Sequence, residues 1–298
     1  MSVKHPFRIR IWFEAARPKT LPAGITPVVM GTAMACGDGA WHWPSALCAL
    51  AGAVLIQTGA NYANDYLDFL RGADTPNRLG PRRATQAGLV SPAGMRHATI
   101  LVFVLACIPG AYIVYRGGWP FVVIGASSIL FAVLYTAGPY PLGYIGLADV
   151  FVLVFFGPVA LCGTYYLQTG RVTHEAWAAG LATGLLSTAL LTVNNLRDID
   201  EDRAAGKRTL AVRFGRGFAR AEYAVCLIGA ALIIPLYLFA RTGKHLLPLV
   251  PLVVLGMGMP GVYTVLTTTD GATLNRVLGT TGKLLLVFGV FFSLSWLA

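Results

Sequence analysis

Two clusters of asparagine and aspartate hold the chemistry open to this sequence. In N-Y-A-N-D-Y-L-D, Asn61, Asn64, Asp65 and Asp68 stand at i, i+3, i+4 and i+7, which gathers all four on one helical face. In N-N-L-R-D-I-D-E-D, Asn194, Asp198 and Asp202 stand at i, i+4 and i+8, with Asn195 one step round and Asp200 and Glu201 pointing elsewhere. Each cluster grows out of the C-terminal end of an apolar stretch. There the helix dipole is negative and disfavours carboxylates, and stacked carboxylates also repel one another. A chain that builds this twice needs a compensating cation. Carboxylate and amide oxygens are the donors Mg²⁺ prefers, usually with one or two carboxylates per ion and the rest from substrate phosphate. No His or Cys cluster competes, so zinc and iron fit poorly. Asn64, Asp65, Asp68, Asp198 and Asp202 are therefore the candidate metal ligands, and the four aspartates the candidate catalytic residues.

The cations nearby call for an anion between the two clusters. Arg17, Lys19, Arg78, Arg82, Arg83, Arg197, Lys207 and Arg208 all fall at the same mouth, where Arg forks suit phosphate oxygens and Lys supplies a point charge. With the amides of Asn61, Asn194 and Asn195, they describe a diphosphate site. A single Asp–Arg pair at a helix end is ordinarily a solvated surface feature; two matched polar faces are not. Asp200, Glu201 and Arg203 read as solvated, and Glu14 and Asp149 as local partners or caps.

The elements that must position these groups are membrane helices. The residues A, V, I, L, M, F, W, Y and C make up 56% of the 298 residues, and charged residues only 12%, against roughly 25% in soluble domains. Uncharged stretches run 20–37, 39–64, 98–115, 117–148, 150–170, 176–196, 223–240, 246–269 and 284–298. Nearly all reach the ~20 residues that cross ~30 Å of hydrocarbon. The expected fold is an all-α membrane protein of nine transmembrane helices in a single domain over 1–298. The runs do not alternate as barrel strands would. If nine spans alternate, nineteen of the 23 Lys and Arg share one face. The positive-inside rule then predicts a cytoplasmic N-terminus, an outer C-terminus and a cytoplasmic site in the cell membrane.

That segregation also disposes of nucleic acid as the reason for the net charge of +10, because no soluble module carries the charge. Cys36, Cys48, Cys107, Cys162 and Cys226 have no paired or metal-ligand spacing and read as packing residues. The basic first twenty residues lack an apolar core before a cleavage site and read as a retained interfacial segment. The two long connections, roughly 65–96 and 197–220, each begin with an acidic cluster. Spans 1–4 and 5–8 therefore look like two similarly organised halves, with span 9 added. Ion transport is the rival reading, since intramembrane carboxylates often mark ion paths. These carboxylates sit at span ends, however, and a transporter's polar features belong near the midplane.

Taken together, these residues resemble a known family. The first cluster is similar to the N-D-x-x-D motif of the UbiA superfamily of intramembrane prenyltransferases, and Asp198 with Asp202 to its second motif, D-x-x-x-D. R-P-K-T-L-P at 17–22, G-A-D-T…R-L-G-P-R-R at 72–83, Y-T-A-G-P-Y-P-L-G-Y at 135–144 and the stretch 194–210 resemble its 1,4-dihydroxy-2-naphthoate polyprenyltransferase branch. The broader pattern N-D-x-x-D-x-x-x-D has its last Asp where this chain has Gly72, and Asp74 is the candidate replacement. The resemblance implies helices bundled around a central cavity, Mg²⁺ as cofactor, a polyprenyl diphosphate donor and an aromatic acid acceptor. In that branch, prenylation proceeds with loss of CO₂ and diphosphate to give demethylmenaquinone; homogentisate, hydroxybenzoate and chlorophyllide enzymes share the metal site. Tyr135 and Tyr140 could stabilise a cation-like allylic carbon through their ring faces, or belong to an interfacial aromatic belt. The prenyl tail is expected to leave the cavity between helices into the bilayer.

Overall fold

A computed structural model describes residues 8–72, 80 and 82–298. Its elements are all helical: α1 (Arg8–Ala15), α2 (Pro22–Gly37), α3 (Trp43–Leu70), α4 (Pro92–Gly117), α5 (Pro120–Leu134), α6 (Leu142–Ile145), α7 (Ala148–Thr169), α8 (His174–Arg197), α9 (Ile199–Ala204), α10 (Leu210–Thr242), α11 (Leu249–Thr267) and α12 (Gly271–Leu297). Local chemistry sets many of the starts. Pro opens α2, α4 and α5, where its missing N–H is not needed. Side chains of Ser91, Thr173, Thr209 and Asp270 accept the first free backbone N–H groups of α4, α8, α10 and α12.

Each expected span lands on a helix, but among the described residues seven helices rather than nine are long and apolar enough to cross a membrane. The exceptions are α2 with 16 residues and α5 with 15, about 24 and 22 Å of helix. For α5 the reason is plain. The uncharged run 117–148 is not one helix, because the Gly138–Pro139 turn and α6 consume its second half.

Close backbone approaches pack α8, which carries the second acidic motif, against its neighbours. α7 is kinked at Gly157 (φ −112°, ψ −113°), next to Pro158. The kink is filled by Gly180 and Gly184 of α8; a Cβ on Gly184 would stand 2.3 Å from the Leu153 carbonyl oxygen. This is the small-residue packing that lets membrane helices touch. α12 does not stand apart from the two halves. It packs on α2 and α8, with Gly282 against the Lys19 carbonyl and the Thr26 hydroxyl donating to Leu285 O (3.3 Å). Leu186, Val193 and Leu196 of α8 and Phe288 and Phe292 of α12 are fully buried there.

Candidate active site

A cavity of about 670 Å³ runs down the bundle. On α3 it is lined from Asp68 to Ala49 by a stripe at three- and four-residue spacing, about 28 Å of helix. The polar end holds the acidic motifs. The remainder is mostly apolar and includes Phe131, Phe151 and Phe155, with Phe131 4.5 and 5.5 Å by ring centroid from the other two.

Asn61, Asn64 and Asp68 of the first motif line the cavity. Asp68 is buried and accepts Arg83 Nη2 (2.9 Å) on one oxygen and the Tyr144 hydroxyl (3.1 Å) on the other. Asn64 Oδ1 accepts the Thr136 hydroxyl at 2.6 Å. Asn61 Nδ2 donates to Ala16 O at 2.9 Å. Asp65, the other expected ligand on this helix, is placed differently. Its two oxygens accept the backbone N–H groups of Ala84 (2.9 Å) and Thr85 (3.0 Å), and it is absent from the cavity wall. Helix geometry explains the split. Each residue turns the helix about 100°, so Asn64 and Asp68 lie roughly 40° apart while Asp65 lies roughly 100° round from Asn64. Asp65 anchors the segment that lays Arg83 on Asp68.

In the second motif the helix does not run through. Asp198 follows α8 and precedes α9 with φ −95° and ψ 10°, so the break falls at Asp198 itself and Asp202 lies one turn further on, its N–H donating to Asp198 O (2.7 Å). Both still line the cavity, with Asn194 and Asn195. The Arg197 guanidinium grips both Asp198 oxygens at 2.6 Å and donates to Asn194 Oδ1 and Asn275 Oδ1 (2.9 Å each). Arg197, expected to bind substrate, is placed as a buried clamp on Asp198 and not on the cavity wall. Asp202 pairs with Lys207 at 3.4 Å. Asp200 is instead a surface residue, bonded to Arg216.

Of the expected cations, Arg17, Arg83 and Lys207 line the cavity. Arg17 has φ +54°, a left-handed backbone that a non-glycine residue keeps only when its surroundings hold it there. The Asn61 bond to Ala16 O and the Gln57 bond to Thr20 O (2.6 Å) brace the turn on both sides. Lys19 is exposed and lies along Gly279 of α12, off the cavity. Arg82 and Arg208 are exposed and also off the wall; Arg208 contributes its backbone N–H, to Tyr144 O (2.8 Å). Arg78 and Asp74 lie outside the described residues. Gly72, where the broader pattern has aspartate, takes φ +65° just beyond the end of α3, a conformation glycine adopts without strain.

Tyr135 lines the cavity, but Tyr140 is 77% exposed and does not. Asn64, Asp68, Asp198 and Asp202 present only oxygen donors to the cavity, a set that fits Mg²⁺. Ion pairs use part of their capacity, since a carboxylate has about four lone-pair sites. Among the described residues no three acidic side chains converge, so the arrangement suits ions completed by substrate oxygens.

A family model described as "UbiA prenyltransferase family" matches residues 25–295. The chain belongs to the UbiA prenyltransferase family. It is similar to the 1,4-dihydroxy-2-naphthoate octaprenyltransferase of Escherichia coli (strain K12), 40% identical over 80% of this chain and 79% of that one. It is also similar to the protein of the same name from Mycobacterium tuberculosis, 44% identical over 71% and 72%. A solved UbiA homolog from Archaeoglobus fulgidus, bound to GPP and Mg2+, shares the fold with a TM-score of 0.69 and 16% identity, over 96% of this chain and 99% of that one.

Two members of this UbiA-family site were not singled out as site residues from sequence. Thr136 holds Asn64, and Tyr144 holds Asp68 while Lys207 Nζ lies 5.0 Å from its ring centroid. Both lie in the stretch 135–144, whose resemblance to the family was the available signal. Neither has the periodicity or charge that makes a residue conspicuous.

Proposed function

We propose that this protein transfers a polyprenyl group from a polyprenyl diphosphate to 1,4-dihydroxy-2-naphthoate, releasing diphosphate and CO₂. The observation that carries this reading is the cavity itself: two acidic motifs and three cations at one end, an apolar shaft beyond, in a chain 40–44% identical to two proteins named for that activity. Asn64, Asp68, Asp198 and Asp202 would hold Mg²⁺, which neutralises the charge that develops on a departing diphosphate. Arg17, Arg83 and Lys207 bind and orient the diphosphate oxygens, and electrostatic stabilisation of this kind is often the main source of an enzyme's rate enhancement. The apolar stripe of α3 and the Phe131–Phe151–Phe155 cluster receive the prenyl tail and exclude water from the allylic carbon. The tail's outer units leave between helices into the bilayer. The allylic C–O bond breaks and a C–C bond forms at the ring carbon bearing the carboxylate. Loss of CO₂ returns its bonding pair to the ring. The product is a demethylmenaquinone-type lipid in its hydroquinone form.

A carboxyl-labelled naphthoate tests the acceptor. Label should appear as CO₂ in step with prenylated lipid. Retention of the label in the lipid, or consumption of hydroxybenzoate alone, would remove the naphthoate assignment and leave the family intact.

The orientation that goes with this reading has nine spans, α2 and α5 included, with the site facing the cytoplasm. Its support is the one-sided distribution of basic residues. With Cys36 and Cys107 replaced by alanine, Arg82→Cys and Arg203→Cys should react with an impermeant maleimide only in inside-out vesicles. Reaction in intact cells would invert the topology.

A further inference from the structure

The two acidic motifs reach the cavity from different helices, and Tyr144 stands between them. It sits at the end of the Y-T-A-G-P-Y-P-L-G-Y stretch, in the short helix α6. Its hydroxyl donates to Asp68 Oδ1 of the first motif at 3.1 Å. Lys207, the ion-pair partner of Asp202 in the second motif, lies 5.0 Å from the Tyr144 ring centroid, and Arg71 at the end of α3 lies 5.2 Å from it. The main chain repeats the pattern. Arg208 N–H donates to Tyr144 O (2.8 Å), Arg213 Nη2 to Ile145 O (2.8 Å), and Arg71 Nη2 to Gly138 O (2.5 Å). Residues 138–145 are thus held from the first motif's side by Asp68 and Arg71, and from the second's by Lys207, Arg208 and Arg213.

We propose that Tyr144 is a positioning residue that couples the two half-sites, its hydroxyl fixing Asp68 while its ring seats Lys207, so that one motif's carboxylate and the other's lysine address the same diphosphate. The physical case is a division of labour. A carboxylate beside Arg83 alone could swing toward the guanidinium and out of the cavity; a second bond, from a hydroxyl on a different element, fixes the direction of its remaining lone pairs. A lysine on a flexible stem gains direction from the aromatic face beneath it. Neither effect needs the tyrosine to touch the reacting carbon. The inference rests on the diphosphate reading above.

Its test is equilibrium binding of a geranyl thiodiphosphate analogue, titrated with Mg²⁺ by calorimetry on the full chain in nanodiscs, alongside kcat and KM. Tyr144→Phe removes only the hydroxyl and should raise the Mg²⁺ needed for half-maximal binding about tenfold, the scale of a hydrogen bond to a charged group. Tyr144→Leu also removes the ring and should weaken analogue binding by a further roughly threefold to thirtyfold. Combining Tyr144→Phe with Asp68→Asn should add little to Asp68→Asn alone. If Tyr144→Phe binds metal and analogue as wild type does, the coupling role is wrong. It is equally wrong if Phe and Leu behave alike while both stay folded. Should Tyr144→Leu fail to fold, the Phe variant and its double-mutant cycle decide. A wild-type protein that shows no Mg²⁺-dependent analogue binding sinks the diphosphate reading instead, which is a different outcome.

Discussion

Asp68→Ala should lower kcat by roughly 10²–10³-fold, the scale of losing one preorganised charge-stabilising group, while the protein stays inserted and folded. Asp68 is buried on the cavity wall with Arg83 on one oxygen and Tyr144 on the other, so its removal takes the first motif's carboxylate from the polar end while leaving the backbone untouched. Asp202→Ala should behave alike, because Asp202 occupies the matching position across the cavity with Lys207. Asp65→Ala provides the contrast. It should also lose activity, but through loosening of the Ala84–Thr85 segment, so backbone amide exchange there should rise. Exchange at those amides should be unchanged in Asp68→Ala. Asp200→Ala is the control: its carboxylate is 71% exposed and pairs at the surface with Arg216 and Arg203, and such pairs contribute about 0–1 kcal/mol. Turnover measured on purified protein across a Mg²⁺ titration checks all four. Wild-type turnover that survives complete chelation of divalent ions, or an Asp68→Ala enzyme with ordinary kcat, would remove the metal–diphosphate site.

The contrast between Asp65 and Asp68 also marks how far the sequence could be read. Offsets of i, i+3, i+4 and i+7 place four side chains on one half of a helix, and that much holds. They do not say which edge of that half meets a cavity and which meets a returning loop. The answer depended on where residues 83–85 pack, a tertiary fact with no periodic signal. For the same reason, Asp198 and Asp202 were legible as a pair but the helix break at Asp198 was not. The spans were legible because charge is excluded from hydrocarbon. Their lengths were less so, since an uncharged turn such as 135–141 looks in composition like the helix before it. In sequence, Lys19 and Arg208 suggest a substrate role only by being cationic and near the motifs. In the structure, Lys19 lies along the Gly279–Gly282 edge of α12 and Arg208 supplies only its main chain.

Arg197→Ala should destabilise the folded protein by about 3–5 kcal/mol, the usual consequence of breaking a buried ion pair by removing one member. Arg197 is fully buried and Asp198 nearly so, at 0% and 4% side-chain exposure. The guanidinium fork holds both carboxylate oxygens and ties Asn194 and, across the bundle, Asn275 of α12. Removing it takes the guanidinium fork from Asp198 and leaves two amides short of a donor. Arg197→Lys keeps the charge yet cannot make the planar bidentate contact, so it should recover only part of the loss. The discriminating variant is Arg197→Met with Asp198→Leu. A buried ion pair replaced by apolar groups of similar size is often neutral or stabilising, so the double variant should melt close to the wild type. It should nevertheless be inactive, having lost a carboxylate of the cavity wall. Thermal unfolding in detergent separates the possibilities. If Arg197→Ala melts with the wild type, the clamp does not stabilise Asp198. If the double variant melts as low as Arg197→Ala, the loss comes from Asn275 and packing rather than from a stranded charge. The expected pattern, with stability restored and activity absent, would separate the two duties at this helix end: Asp198 serves the cavity, and Arg197 makes it possible to keep a carboxylate there.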